Sequence, residues 1–183
     1  MTGELNDGFA KYVPPALDAL DNSVDDLDGG SYPLLFSTYK QAWHSMARTI
    51  CNPWLVSIMP ENFVEINSVD ATARGIQTGD RVQVTSASNT EGAVGRAFVT
   101  ETIRPGVVSV AHSFGHWEMG SKSFDVDGTA GDADTTRAAG IAANPLMRAD
   151  PQLPNVTLQD KIGGSSSFYD TRVQVAKVYP IVA

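Results

Sequence analysis

One continuous run of the sequence, residues 64–119, constrains the fold more than any other part of the chain. Its apolar and polar residues alternate in short segments, such as RVQVT at 81–85 and VVSVA at 107–111, and Gly-Asp and Pro-Gly pairs separate these segments. Alternation with a period of two is typical of strands that bury one face, and Gly and Pro mark the turns between them. A short helix is expected near residue 69, with Ser68 as its cap and Gly75 just after its end. The run therefore predicts strands joined by tight turns and one short helix.

Further strands are expected on both sides of this run. An apolar segment at 32–37 predicts a first buried strand, and residues 63–66 predict another. Residues 93–102 predict a long strand after a hairpin tip at 89–92, and the alternating residues 172–178 are expected to close a barrel. This order of elements is that of a double-psi β-barrel. We therefore expect a mainly β fold, a double-psi β-barrel with short helices and long ligand-binding loops.

The chain has 183 residues, which suits one domain, and its first part differs in composition from the rest. We expect residues 1–30 to form a flexible acidic lead-in and residues 31–183 to form the barrel domain. The lead-in contains a cluster of acidic residues, Asp18, Asp21, Asp25, Asp26 and Asp28. A calcium-binding loop is one interpretation of this cluster, but no acidic residue stands at the closing position of an EF-hand. A solvated acidic linker is the interpretation that we favour.

Composition and charge disfavour several classes of function. The formal net charge of −8 argues against nonspecific binding of nucleic acid, which needs a positive surface. No apolar run approaches the roughly 18 residues of a membrane-spanning helix, so no direct membrane insertion is expected. The N-terminus has no secretory signal pattern, so an export signal would lie on a longer chain or on a partner. The single cysteine, Cys51, excludes an internal disulfide and is expected to be a buried structural thiol.

Two histidine-containing segments are candidates for binding a ligand. The first, WHSMART at 43–49, offers an imidazole, hydroxyl groups and a guanidinium group that can pair with phosphate. The second, HSFGHW at 112–117, carries two histidines four residues apart, as in a metal site on a helix. Because Gly115 lies between them and a strand precedes them, a loop that binds a heterocyclic ligand is favoured over a metal site. A loop that is merely well packed is the remaining alternative.

Two later segments extend this candidate site. Asn144–Asp150 (NPLMRAD) and Asp160–Tyr169 (DKIGGSSSFY) lie in or at the end of a long aperiodic span that is rich in Gly, Asp, Ala, Thr and Asn. Gly163 and Gly164 would let backbone amides approach a ligand, although a flexible linker is the simpler interpretation of such a segment. A serine hydrolase is disfavoured because no nucleophile elbow is present, and a Rossmann fold because no Gly-x-Gly-x-x-Gly motif follows a strand.

The order of these motifs resembles the C-terminal domain of the dimethyl sulfoxide reductase family of molybdenum and tungsten oxidoreductases. The likeness is carried by VEINSVDATARGIQTGDRVQVTS at 64–86 and GRAFVTETIRPGVVSVAHSFGHW at 95–117, and it extends from Tyr32 to the C-terminus. Within the family, the segments NPWLVSIMPEN, GIAANPLM and DKIGGSSSFYDTRVQV resemble the catalytic subunits of tetrathionate reductases and of their arsenate- and thiosulfate-acting relatives.

The resemblance implies a cofactor and a set of residues that bind it. The cofactor is bis(molybdopterin guanine dinucleotide) with Mo or W, which this domain would cover and share with absent domains. The residues that match the ligand loops of the family are expected to position the cofactor and not to break bonds. They are His44, Ser45, Arg48, Thr49, His112, Ser113, His116, Trp117, Asn144, Asp160, Gly164, Ser165, Ser166 and Tyr169.

The resemblance also implies partners. The metal ligand and the N-terminal cysteine cluster of the family would lie in other domains, and Cys51 matches neither of them. We therefore expect this chain to act with an iron–sulfur electron-transfer subunit and with the remaining domains of a catalytic subunit, and not to be active alone. Relatives of this kind often work outside the cytoplasmic membrane. Two alternatives stay open, a protein-binding adaptor domain on the same barrel and a small self-processing decarboxylase.

Overall fold

A computed structural model describes residues 8–9, 17–134, 136–153, 155–160 and 163–179, so much of the expected lead-in lies outside the described residues. Single 3₁₀ turns occur at Met46–Arg48, Trp117–Met119 and Asn144–Leu146. In the described part of the chain, no helix is both long and apolar enough to span a bilayer. The helices and strands are, in chain order, α1 (Val24–Asp28), β1 (Leu34–Tyr39), α2 (Pro53–Ile58), β2 (Phe63–Ile66), α3 (Ser68–Ala73), β3 (Arg81–Ser86), β4 (Asn89–Val99), β5 (Val107–Ala111), β6 (Phe124–Val126), β7 (Thr129–Gly131) and β8 (Arg172–Lys177).

Six of these strands form a closed barrel in the order β1-β5-β2-β4-β3-β8. β1 runs parallel to β5, with Tyr39 opposite Ala111, and β2 runs parallel to β4, with Phe63 opposite Arg96. The other neighbours in the barrel are antiparallel, and β6 pairs with β7 in a separate hairpin. This closed, mixed barrel with short helices confirms the expected mainly β, double-psi fold.

The alternation in the sequence places one apolar row of each strand inside the barrel. Val82 and Val84 of β3 are fully buried, whereas Arg81 points outward and is exposed. Ile141 and Leu146 also belong to this core, so part of the aperiodic span packs against the barrel. Burial of apolar surface is the main term that stabilises such a fold. A second, smaller apolar cluster contains Ile50, Val56 and Phe114, and the partly buried Cys51 packs against it.

Three local expectations differ from the structure. Asn67, and not Ser68, caps α3, because its Oδ1 accepts a hydrogen bond of 2.9 Å from the backbone two residues later. The hairpin between β3 and β4 turns at residues 87–88, because the expected tip at 89–92 already belongs to β4. The sequence predicts a turn at residues 52–55 and an apolar segment at 55–59. The structure has helix α2 there instead, which begins with a proline and has the Asn52 side chain as its cap.

The acidic segment before β1 is attached to the barrel and is not fully solvated as expected. Asp28 is buried, and its carboxylate accepts hydrogen bonds from Arg148 Nε at 2.6 Å and Nη2 at 3.1 Å. Asp25 forms a similar two-point pair with Arg172 at the start of β8. The expectation of a solvated linker was therefore wrong for Asp28. The domain boundary at residue 30 stays a prediction.

Asp18 is also buried in this segment. Burial by itself raises the pKa of this carboxyl group, but hydrogen bonds from Asn22, Gln152 and Leu20 outweigh it and lower the pKa to about 2. The carboxylate thus joins its own turn to the chain around residue 152. This contact is a third point at which the acidic segment is held against the rest of the molecule.

Candidate functional site

The loops that follow β1 and β5 start at the same edge of the barrel. β1 and β5 are parallel neighbours, and Tyr39 at the end of β1 is opposite Ala111 at the end of β5. The His112 N–H donates to the Tyr39 carbonyl at 3.0 Å, so the pairing continues one residue into the loop. Residues 40–49 and 112–117 therefore lie on one edge of the barrel, which we call the rim.

His44 holds the first of these loops against the second. Its ring is only 3% exposed and meets Phe114 edge-on, with ring centroids 5.2 Å apart. His44 Nδ1 lies 3.2 Å from Thr49 Oγ1, which also accepts a hydrogen bond of 2.7 Å from the Ser45 N–H. His44 Nε2 is buried and has no hydrogen-bond partner among the described residues. Buried polar atoms are normally paired, so this nitrogen is an unsatisfied group within the rim.

The second loop is fixed against the chain around Gly140. Gly115 has a φ of +68°, and a Cβ there would lie 2.5 Å from the Gly140 carbonyl oxygen, so a larger residue does not fit. The fully buried Asn62 joins the same parts of the chain. Its Nδ2 donates to the carbonyls of Ala111 (2.6 Å) and Ile141 (2.9 Å), and its Oδ1 accepts from the Ile141 N–H (2.7 Å). The end of β5 and the chain that supports its loop are thus held by one side chain.

In the last predicted segment, the described residues hydrogen-bond to one another and to β1. Both carboxylate oxygens of Asp160 accept hydrogen bonds within the segment, from the Gly163 N–H at 3.0 Å and the Ser165 N–H at 3.1 Å. The Tyr169 hydroxyl reaches the Thr38 carbonyl at 3.4 Å. Asp160 therefore shapes this loop, and Tyr169 places it beside the carboxyl end of β1.

A cavity of about 420 Å³ lies where these segments meet. Three predicted site residues from three different loops line it, namely His112, Asn144 and Ser166. They bring an imidazole, an amide and a hydroxyl group to one place, where each can donate or accept a hydrogen bond. The His112 Nδ1 lies 2.8 Å from the hydroxyl of the predicted residue Ser113. The cavity is within the size range of about 300–1,000 Å³ that is usual for small-molecule sites.

Sequence reasoning did not single out the other four residues of the lining, which are Thr38, Met147, Thr157 and Phe168. Thr38 belongs to β1, and its position opposite Val110 in the parallel pair could not be read from the chain. Met147 and Phe168 lie inside predicted segments, but apolar residues there gave no signal of contact with a ligand. Thr157 carried no signal at all.

None of the other eleven predicted residues lines this cavity, and the first loop, which carries His44, Ser45, Arg48 and Thr49, contributes no residue to its described lining. Arg48 is exposed at the end of its 3₁₀ turn. His116 Nδ1 lies 3.6 Å from Glu118, and the half-exposed Trp117 packs against Phe124 with ring centroids 5.9 Å apart. Across the residues that the structure describes, no group of three or more His, Cys, Asp and Glu side chains is placed to hold a metal ion.

A larger groove of about 960 Å³ lies on the outer wall of the barrel and contains none of the predicted site residues. We call it the outer groove; its lining includes Ile58, Phe63 and Phe98. The Tyr39 hydroxyl donates to the Glu65 carboxylate within it. Burial and this carboxylate raise the pKa of Tyr39 far above its usual value. The surface of the groove is mainly apolar, and none of the residues predicted to bind the ligand lines it, so we take the rim as the candidate site.

A closed barrel whose polar loops converge on a cavity at one end defines a domain that binds a small molecule. Residues 34–152 match the family described as "Molydopterin dinucleotide binding domain". The chain belongs to this family, and membership implies binding of a molybdopterin dinucleotide.

Two curated relatives have larger chains than this one. The chain is 38% identical to a selenate reductase subunit of Mesobacillus selenatarsenatis, and the match covers 97% of this chain and 18% of that relative. It is 30% identical to a tetrathionate reductase subunit of Salmonella typhimurium, over 82% of this chain and 14% of that relative. The chain thus spans less than a fifth of the length of either relative. Among solved structures, acetylene hydratase from Pelobacter acetylenicus shares the fold, with a TM-score of 0.62 at 14% identity over 92% of this chain and 21% of that chain.

Proposed function

We propose that this chain is the cofactor-binding domain of a larger molybdopterin oxidoreductase, and that its rim binds bis(molybdopterin guanine dinucleotide) carrying Mo or W. The main support is the meeting of His112, Asn144 and Ser166 in one cavity at the end of a barrel of this family. When bound, the cofactor supplies two-electron redox chemistry. The residues of this chain bind and orient it, and other domains complete the cleft.

The groups that line the cavity fit a heterocyclic part of such a cofactor. Pterin and guanine edges carry neighbouring donors and acceptors, which amide, imidazole and hydroxyl groups can complement. The ring of Phe168 is 40% exposed and offers a surface on which a flat heterocycle can stack. The buried, unsatisfied Nε2 of His44 marks a second place in the rim where a polar partner is missing among the described residues.

The exposed guanidinium group of Arg48 is suited to the phosphates of the cofactor. Arginine forms two-point hydrogen bonds with phosphate oxygens, and the surface of this acidic chain otherwise repels them. We assign the remaining predicted residues to the same binding surface on the strength of the resemblance. They are Ser45, Thr49, Ser113, His116, Trp117, Asp160, Gly164, Ser165 and Tyr169.

We further propose that the complete enzyme reduces an oxyanion of selenium, sulfur or arsenic. The names of the two curated relatives, a selenate reductase and a tetrathionate reductase, support this class. The proposed partners are an iron–sulfur electron-transfer subunit and the remaining domains of the catalytic subunit. The outer groove supports such contacts, because the side chains of Ile58 and Phe98 in it are 62% and 43% exposed. This chain alone should not turn over substrate.

The proposal is tested by Asn144→Ala and Arg48→Ala in the complete catalytic subunit. We expect both variants to be purified with less molybdenum or tungsten and less releasable guanine nucleotide per protein than the wild type, because each loses a contact to the cofactor. Gln77→Ala is the control, since Gln77 is exposed and belongs neither to the predicted site residues nor to the lining of the rim cavity. Full metal and nucleotide content in both rim variants would contradict the proposal. Recovery of a protein partner that carries no pterin would favour the adaptor-domain alternative.

A further inference from the structure

A second pocket on the outer wall of the barrel is lined by charged side chains and shares Arg96 with the outer groove. It measures about 480 Å³ and lies against β3 and β4. Among the described residues of its lining, Arg81, Arg96 and Lys122 supply three cations and Glu61 supplies the single carboxylate. The pocket shares no residue with the rim cavity. We call it the basic pocket.

Two of its cations are placed directly opposite each other in the sheet. Arg81 of β3 and Arg96 of β4 are register partners, and both side chains are exposed on the outer face. Like charges in this arrangement destabilise an antiparallel pair. Glu61 neutralises only one of them, because its Oε1 lies 3.0 Å from Arg96 Nη2. Asp80, which precedes Arg81 in the chain, pairs with Lys177 at 2.7 Å instead. No carboxylate among the described residues forms an ion pair with Arg81.

Lys122 adds a third positive charge from the long loop that follows the rim. It is partly buried, and no carboxylate pairs with it in the described part of the chain. Burial lowers the pKa of this ammonium group, since it loses water without gaining a counter-ion. An uncompensated, partly desolvated cation is a group that an anion would stabilise.

The local charge of the pocket is opposite to that of the whole chain. Three cations and one carboxylate leave a local excess of two positive charges, whereas the chain carries a formal net charge of −8. We propose that the basic pocket binds a doubly charged oxyanion, such as a phosphate group, between Arg81, Arg96 and Lys122. The phosphates of a nucleotide and a free inorganic oxyanion share this chemistry. The inference does not depend on the proposed function of the rim.

The test is a titration of the full chain, labelled with ¹⁵N, with inorganic pyrophosphate at low ionic strength. We expect saturable shifts of the amide signals of Gly95, Arg96, Lys122 and Gly140, which surround the pocket. Lys122→Gln should weaken binding about tenfold, because a hydrogen bond to a charged group is lost. Arg104→Gln is the matched control, since Arg104 lies in the outer groove and not in this pocket, and it should leave the affinity unchanged.

Two further measurements identify the source of the phosphates and test whether the charge of Lys122 is unpaired. Guanosine diphosphate that binds more tightly than pyrophosphate, with the same shifts, identifies a nucleotide as the source of the phosphates; equal or weaker binding identifies a free oxyanion. The melting temperature of Lys122→Gln without ligand should equal or exceed that of the wild type, because an unpaired, partly buried charge is removed. The proposal would be overturned by an absence of saturable shifts around the pocket or by equal weakening of binding in Lys122→Gln and Arg104→Gln. A marked fall in the melting temperature of Lys122→Gln would also overturn it.

Discussion

Replacement of Asn62 by alanine tests the connection between the barrel and the rim. The Asn62 side chain makes three buried hydrogen bonds, two as a donor and one as an acceptor. A protein hydrogen bond contributes about 1 kcal/mol net, so the loss of three should lower the free energy of unfolding by about 3 kcal/mol. For a chain of this size, that change corresponds to a fall in melting temperature of roughly 6–12 °C.

Asn62→Asp is a sharper form of the same test. The introduced carboxyl group has nearly the same shape but, when ionised, cannot donate to the carbonyl oxygens that lie 2.6 and 2.9 Å from Nδ2. Burial and these oxygens favour the protonated form, so the pKa of the carboxyl group is raised in the folded state above its unfolded value of about 3.9. Stability is then present at low pH and is lost as the pH rises through the folded-state pKa. We expect this variant to lose stability relative to Asn62→Ala as the pH rises above about 4, the pKa of the carboxyl group in the unfolded state.

The assay is urea denaturation followed by tryptophan fluorescence at several pH values. Gln77→Ala serves as the control, because a change at an exposed position should stay within about 0.5 kcal/mol of the wild type. A loss below about 1 kcal/mol for Asn62→Ala would refute the reasoning, because less than one hydrogen bond would have been lost. The same pH dependence for both variants would refute the assignment of the Nδ2 atom as the donor to the two carbonyls.

Three further outcomes are expected. Asp28→Ala should lower the free energy of unfolding by about 3 kcal/mol in urea, because it leaves the guanidinium group of Arg148 buried without its carboxylate. Gly115→Ala should reduce the melting temperature far more than Gly75→Ala; both positions have positive φ, but only Gly115 has a carbonyl oxygen 2.5 Å from the added Cβ. The pKa of Asp18 is lowered to about 2 in the folded state. The ionised carboxylate therefore stabilises the folded state above about pH 4, and this stabilisation is lost as the pH falls toward 2. Asp18→Asn should therefore flatten this acid limb in a series of melting temperatures against pH.

The strands could be predicted from the sequence because their signals are local. The alternation at 81–85 and at 107–111 predicted two strands and the side chains that face the core. The structure has β3 and β5 at these residues. Helix α2 was missed because six residues are too few to show a helical period. A local signal was nevertheless present, since Asn52 followed by Pro53 is a typical start of a helix.

The candidate site could be predicted only in part, because its assembly depends on pairing between distant strands. The loops that contain His112, Asn144 and Ser166 were identified from their residue types, and the topology brings the three together. Arg148 was grouped with a ligand loop because of its neighbours in the chain. Its side chain instead pairs with that of Asp28, 120 residues away. No local pattern reports such a partner. That the rim binds the cofactor remains a prediction.

The pairing of β1 with β8 has a consequence for synthesis of the protein. Leu34 lies opposite Val173, so the ring cannot close until the last strand has left the ribosome. During that interval, β1 presents an open edge on one side, and such edges attract other chains. Pairings of high contact order also form slowly. Nascent β1 therefore stays open to pairing with other chains until β8 has been synthesised.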